Sequence, residues 1–146
     1  MSKHRRRVGT IAVGVATAVL VGGGTAEATP GGPGVVGEVI SRATVGDKDY
    51  VLRRITIPAG QATGWHFHEG TLYAFVEEGT LSHFDATCES SGVHPAGDAL
   101  TEAPGAQNVH IGRNLGTVPL VLDVLYVLPH GAPLSRDAPN PGCDFQ

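Results

Sequence analysis

Beyond residue 34 the chain alternates short runs of apolar and β-branched residues with turns rich in glycine, proline and aspartate. Runs of this kind, bounded by turn residues, predict β-strands. We predict strands over residues 35–43, 50–57, 63–68, 71–76, 80–86, 108–112 and 118–128. Residues 89–97 are predicted to form a loop, and residues 98–105 a loop or a short strand.

The predicted strand over residues 118–128 is apolar on both faces, which indicates a central position in a sheet. No window beyond the first thirty residues shows a sustained helical period with caps. Many short strands joined by turns are typical of an all-β sandwich or barrel. We therefore predict one all-β domain over residues 35–130, which is long enough for a single core.

The N-terminal segment has a different character. Lys3 and three arginines at 5–7 precede an uncharged stretch over residues 8–21, and Ala26-Glu27-Ala28 follows. This order predicts a secretory signal peptide over residues 1–28, a Pro/Gly linker over residues 29–34 and a secreted protein. The alternative is a retained membrane anchor, which needs about 20 apolar residues, and glycines 22–24 interrupt the stretch early. We expect no stable membrane anchor after cleavage.

Cleavage would change the charge balance. The segment holds four of the ten basic residues and one of the 14 acidic residues, which leaves six basic and 13 acidic residues and a net charge of −7. An acidic chain with scattered basic residues offers no footprint for nucleic acid. We expect no nucleic-acid partner, and a small-molecule ligand instead.

The two cysteines, Cys88 and Cys143, permit one intramolecular disulfide, as expected of an exported protein. Two free thiols are the alternative. The bridge would tether a proline-rich C-terminal tail over residues 131–146, which we predict to lack regular structure.

His66 and His68 are separated by one residue in a predicted strand. Because side chains alternate across a strand, both imidazoles should face one side, while Trp65 and Phe67 face the other and pack the outer layer. His110 lies in another predicted strand, so three nitrogen ligands would converge if the two strands are neighbours. The His-x-His spacing alone is weak evidence, because ordinary surface pairs also produce it.

The residues around these histidines resemble the cupin superfamily. Gly60, five residues, His66-Phe67-His68 and then Gly79 follow the first cupin motif. The second motif is matched in part, by Gly97-Asp98 at its opening and by His110 and Asn114 at its end. Pro104-Gly105 is out of register, and Gln107 stands where the second glycine is expected. The resemblance covers residues 51–128 and implies a single-domain cupin β-barrel (a double-stranded β-helix, or jelly roll), which often forms a homodimer.

One position departs from the motif. The motif expects a glutamate with three or four residues between it and His68, at Leu72 or Tyr73, and neither is a carboxylate. Glu69 should point away from the histidine face. We therefore predict a three-histidine site of His66, His68 and His110. Such a site suits a divalent transition metal (Fe, Zn, Cu, Ni or Mn).

The resemblance also suggests further pocket residues. Tyr73 is a candidate catalytic phenol, although an ordinary strand aromatic is the simpler interpretation, and Asn114 and Gln107 are pocket candidates. His83 is interpreted as a strand surface residue. His94 and His130 are interpreted as exposed loop residues.

Two functions remain open at this point. The first is an exported metal-binding protein that carries out a metal-dependent oxidation or isomerisation of a small molecule. The second is a non-catalytic module that binds a sugar or another small molecule without metal. A structural β domain that does neither is a weaker third hypothesis.

Overall fold

The computed structural model describes residues 30–146, and the predicted signal peptide lies outside the described residues. Ten strands account for nearly all the regular structure in this part of the chain. They are β1 (Val36–Val45), β2 (Lys48–Ile57), β3 (His66–Phe67), β4 (Thr71–Glu78), β5 (Thr80–Asp85), β6 (Ser90–Pro95), β7 (Ala99–Glu102), β8 (His110–Arg113), β9 (Leu120–Pro129) and β10 (Arg136–Asp137). A single 3-10 turn, Ala106–Asn108, lies between β7 and β8.

The strands form two five-stranded antiparallel sheets. The first has the order β1-β2-β9-β4-β7, and the second has the order β10-β3-β8-β5-β6. The prediction of an all-β barrel is confirmed, and so is the central position of β9, which pairs with β2 on one side and β4 on the other. No helix in the described residues is long and apolar enough to cross a membrane.

Three secondary-structure predictions were wrong. The loop predicted over residues 89–97 contains strand β6, which is the edge of its sheet and pairs only with β5. Edge strands tolerate glycine, proline and exposed polar residues, so the composition of residues 89–97 suggested a loop. The strand predicted over residues 63–68 is reduced to His66–Phe67. The tail, predicted to be irregular, contributes β10, since its backbone between two prolines is free to pair with β3.

Two apolar clusters hold the fold together. The larger lies between the two sheets and takes most of its members from β2, β4 and β9. The smaller lies under the C-terminal tail and centres on Trp65, which is fully buried and stacks on Phe145 with ring centroids 6.0 Å apart. The predicted Cys88–Cys143 disulfide is present and tethers this tail.

Candidate metal centre

His66, His68 and His110 lie together in the second sheet. His66 is on β3 and pairs directly with His110, the first residue of β8, and His68 follows β3 on the same face as His66. The ring centroids of the three imidazoles are 4.4 to 5.3 Å apart. The sheet therefore brings together the three histidines that the sequence had singled out.

Each of these imidazoles is oriented by a backbone carbonyl. Nδ1 of His66 lies 2.8 Å from the Gly64 oxygen, Nδ1 of His68 lies 2.7 Å from the Leu134 oxygen, and Nδ1 of His110 lies 2.8 Å from the Asn108 oxygen. A carbonyl oxygen only accepts hydrogen bonds, so Nδ1 must carry the proton. In the neutral ring, Nε2 then keeps the lone pair that a metal requires.

A carboxylate completes the group. Glu102, the last residue of β7, contributes one ligand atom to a set with His66, His68 and His110 in which all four ligand atoms lie within 4.8 Å of one another. The structure therefore places beside the three histidines a carboxylate that the sequence motif did not predict. Leu72, at the motif's glutamate position, pairs directly with Glu102 across the sheet. Because paired residues of antiparallel strands point to the same face, the carboxylate comes from the strand next to the expected one.

The contacts within the group are close but are not hydrogen bonds. Nε2 of His68 and Nε2 of His110 lie 3.2 and 3.3 Å from Oε2 of Glu102. Both nitrogens are buried, and neither has a hydrogen-bond partner of acceptable geometry. Buried polar atoms without partners are costly, and a metal ion between them would satisfy both nitrogens and the carboxylate. These unpartnered nitrogens beside a carboxylate indicate that the group of ligand atoms fits a transition metal.

Burial and charge give the group a defined protonation pattern. Burial, with further contributions from His110 and His68, lowers the pKa of His66 to about 3, so this ring is neutral near pH 7. Burial works to raise the pKa of Glu102, but contacts with His110, His68 and His83 hold it well below its usual value. Burial also works to lower the pKa of His110, and the Glu102 carboxylate outweighs burial and raises it. Without metal, Glu102 is thus ionised and attracts a proton to His110.

His83 also reaches this group, contrary to its interpretation as a surface residue. Its Nε2 lies 3.5 Å from Oε1 of Glu102, the carboxylate oxygen that faces away from His68 and His110, and its Nδ1 lies 2.6 Å from the Ser91 hydroxyl. The alternation of inward and outward positions along β5 was the signal that could have identified it.

The other pocket candidates have different positions. Tyr73 is 52% exposed on the outer face of β4 and does not reach the histidines. Asn114 is fully buried, but it holds the backbone together, donating to the carbonyls of Ile57 and Val118 at 2.9 and 2.8 Å. Gln107 is exposed and borders a cavity that ends at Glu102 and His110.

Two spaces adjoin the group. The outer cavity, of about 320 Å³, opens to the surface and is bordered mainly by polar side chains, among them His83, Asp85, Ser91, Glu102, Gln107 and His110. The inner space, of about 30 Å³, lies inside the barrel and is bordered by His66, His68, Glu102 and Tyr126 together with apolar residues of both sheets. The inner space has room for one ion or one water, and the outer cavity has room for a small molecule.

Comparison with known proteins identifies solved structures of similar architecture. No protein-family model matches the sequence, and no curated protein matches it significantly. Among solved structures, it is similar to a conserved protein with a double-stranded β-helix domain from Klebsiella pneumoniae, with 24% identity, a TM-score of 0.57, and coverage of 73% of this chain and 87% of the other.

Two further solved structures carry the same fold. A cupin domain from Bordetella pertussis matches with 18% identity and a TM-score of 0.51, over 65% of this chain and 94% of the other. A cupin superfamily protein from Desulfitobacterium hafniense matches with 9% identity and a TM-score of 0.52, over 66% of this chain and 79% of the other. The architecture, the paired histidine strands and these similarities together show that the chain has the cupin fold, a double-stranded β-helix.

Proposed function

We propose that this protein is exported, binds a divalent transition metal through His66, His68, His110 and Glu102, and uses it in an oxidation or isomerisation of a small molecule. The observation that carries the proposal is the convergence of buried histidine nitrogens on one carboxylate. In that group the Nδ1 atoms are committed to backbone carbonyls, and the Nε2 atoms of His68 and His110 have no hydrogen-bond partner.

The donor set narrows the choice of metal. Three imidazoles and one carboxylate suit Fe(II), Mn(II), Ni(II), Cu(II) or Zn(II), whereas Mg(II) and Ca(II) prefer oxygen ligands. A bound ion of this kind supplies a Lewis acid, or a centre at which dioxygen is activated. The protein supplies the orientation of the imidazoles through Gly64, Leu134 and Asn108, and the negative charge through Glu102.

The outer cavity supports the choice of a small-molecule substrate. It reaches Glu102 and His110 from the surface, and its volume of about 320 Å³ falls at the lower end of ligand pockets. His83 and Asp85 border it and could exchange protons with a bound molecule.

Export is supported by two features of different kinds. Residues 1–28 have the order of a signal peptide, and the Cys88–Cys143 disulfide is of a kind that persists in oxidising compartments. Edman sequencing of protein recovered from the culture medium tests this part of the proposal. A mature N-terminus at Thr29 supports it, and recovery of the intact chain only from the cytosol contradicts it.

Elemental analysis tests the metal site. The purified protein should carry close to one equivalent of a single transition metal, and a His66→Ala/His68→Ala variant should carry none. His94→Ala is the matched control, because His94 lies outside the group and faces Asp98 at the surface. Equal metal content in all three proteins would contradict the proposal.

Activity assays then separate the enzyme from a non-catalytic binding module. Oxygen uptake against a panel of thiols and phenols tests oxidation, and solvent deuterium incorporation followed by NMR tests isomerisation. An enzyme should lose the activity in the double histidine variant and keep it in His94→Ala. Tight binding of a ligand with no turnover, independent of metal, would favour the binding module.

A further inference from the structure

Arg53 occupies an unusual place for a charged residue, on the inward face of β2. Val51 and Ile57 on the same face are 1% and 0% exposed, and Arg53 stands between them in the alternation. The next residue, Arg54, points outward and forms a two-armed ion pair with Asp123. The two neighbouring arginines therefore face opposite sides of one sheet.

The charge of Arg53 is not neutralised by the protein. Its Nε is buried without a hydrogen-bond partner, its Nη2 lies 3.4 Å from the Gly37 carbonyl, and its guanidinium also interacts with the Tyr126 phenol, which is no carboxylate partner. Within residues 30–146 no ion pair includes Arg53, whereas Arg54 and Arg136 each have a carboxylate partner. A partly buried guanidinium with an unpaired N–H is costly unless something binds it.

The guanidinium borders a second cavity, the arginine cavity, of about 220 Å³. His66 also borders this cavity, and three residues (Ile55, Thr63 and His66) border both it and the inner space in front of His68 and Glu102. The arginine cavity therefore lies next to the inner space at the candidate metal centre, with these three residues common to both. The only carboxylate among the residues that border the arginine cavity is Asp137, which is exposed.

The chain makes room for the guanidinium at Gly37. A Cβ atom at residue 37 would lie within 2.0 to 2.4 Å of the Arg53 guanidinium, so no other residue fits there without displacing it. Gly37 belongs to β1, which pairs with β2. The absence of a side chain at Gly37 leaves room for the Arg53 guanidinium beside the backbone of β1, at the border of the cavity.

We propose that Arg53 binds the carboxylate of a small molecule whose other end reaches the metal group. The inference rests on the proposed function for the metal-binding end, and on Arg53 alone for the carboxylate end. A planar guanidinium pairs with a planar carboxylate through two parallel hydrogen bonds, and such a pair gives the buried Nε–H an acceptor. The chain is acidic overall, so Arg53 supplies the local attraction for an anion that the rest of the surface does not.

The class of substrate follows from the residues that each part of a bound molecule would meet. One end carries the carboxylate at Arg53, the middle passes Ile55 and Thr63, and the far end offers an oxygen or nitrogen ligand in front of His66. Short carboxylic acids with a second oxygen function are therefore the substrates to examine first.

Matched pairs of hydroxamates test this directly. Succinic, glutaric and adipic monohydroxamates carry a metal-binding group at one end and a carboxylate at the other, and the alkyl hydroxamates of equal length replace the carboxylate with methyl. Their binding to the Co(II)-loaded protein is followed by the visible spectrum of the metal. At one chain length we expect the carboxylated probe to bind at least about tenfold more tightly than its alkyl partner, which is the scale of a charge-assisted pair.

Two variants decide the outcome. Arg53→Gln should abolish the preference for the carboxylated probe and leave Co(II) uptake unchanged, whereas the matched control Arg54→Gln should keep both. Equal binding of the paired probes at every length, or a preference that survives in Arg53→Gln, would overturn the inference while leaving the metal site intact.

A metal-free measurement separates the two proposals. Butyrate is titrated into the metal-free protein by calorimetry, with butanamide as the uncharged control. Binding of butyrate that is lost in Arg53→Gln, together with no Co(II) uptake, would refute the metal site alone. Co(II) uptake without any butyrate binding that depends on Arg53 would refute the carboxylate site alone.

Discussion

Replacing both cysteines, in the variant Cys88→Ser/Cys143→Ser, should destabilise the protein without changing its folded contacts. The bridge closes a loop with a sequence separation of 55 residues. In the chain-entropy model, opening a loop of that length gives the unfolded state enough freedom to cost roughly 4 kcal/mol of folding free energy. The loss arises in the unfolded state, because the tail keeps its own contacts when the bridge is absent.

Those contacts are specific to the tail. Phe145 stacks on Trp65, the Arg113 guanidinium lies 4.5 Å from the centre of the Phe145 ring, and β10 pairs with β3. The Leu134 carbonyl, also in the tail, orients His68. Together these contacts should keep the tail docked in the variant at room temperature, so the candidate metal centre should still assemble.

Denaturation in guanidinium chloride measures the effect. Trp65 is the only tryptophan, so its fluorescence reports both on unfolding and on the contact with Phe145. The variant should have a native spectrum like that of the wild type and a lower transition midpoint, with an extrapolated loss of about 4 kcal/mol. The wild-type protein unfolded in the presence of reductant is the control and should match the variant. A loss below about 1 kcal/mol would refute the reasoning, since loop closure would then contribute almost nothing.

Three further predictions concern single side chains. Glu102→Gln should weaken metal affinity by at least about tenfold, since even residues that only orient ligands have effects of that size. A competing chelator measures the affinity, Glu78→Gln at the exposed end of β4 is the control, and an unchanged affinity would argue against carboxylate ligation. Asn114→Ala should cost about 3 kcal/mol in chemical denaturation, because it removes the donor to the carbonyls of Ile57 and Val118, the first of these bonds being buried, and a loss near zero would contradict that role. Asp49→Asn should lower the melting temperature at pH 7 but less at pH 2. The Thr44 hydroxyl, the Gly131 N–H and His130 hold the pKa of Asp49 far below its ordinary value, so its contribution is present above about pH 4 and fades below it. Equal losses at both pH values would show that the carboxylate charge is not the cause.

The sequence predicted those strands in which packing against the core requires a regular pattern of apolar residues. β2, β4 and β9 alternate or run continuously apolar because they face the core between the sheets, and β9 is central as its composition indicated. β6 lies at a sheet edge and faces solvent on most of its length, so burial does not constrain its residues. Its polar, glycine-containing sequence therefore resembled a loop.

The residues of the candidate site also separate into those that the sequence predicted and those that it did not. His66 and His68 were recognisable because one extended segment carries both, at a spacing that alternation converts into a shared face. His83 and Arg53 were harder to recognise, because alternation gives the face that each shares with its strand neighbours, and the structure shows which side chains that face meets. The pattern along one strand indicates which residues share a face. It does not indicate which of the two faces points into the barrel.

Glu102 shows how a candidate metal-binding group can contain a carboxylate that the sequence motif does not place there. Leu72 and Glu102 are directly paired residues of β4 and β7, and the side chains of such a pair start only about 5 Å apart on one face. Exchanging a carboxylate for an apolar residue between those two positions moves the charge by about the length of a glutamate side chain. The motif, which counts along one strand, then loses its glutamate, whereas the space in front of His68 and His110 does not. The absence of a ligand at its motif position is therefore evidence about one strand only, and the residue paired with that position has to be considered before a carboxylate is judged missing.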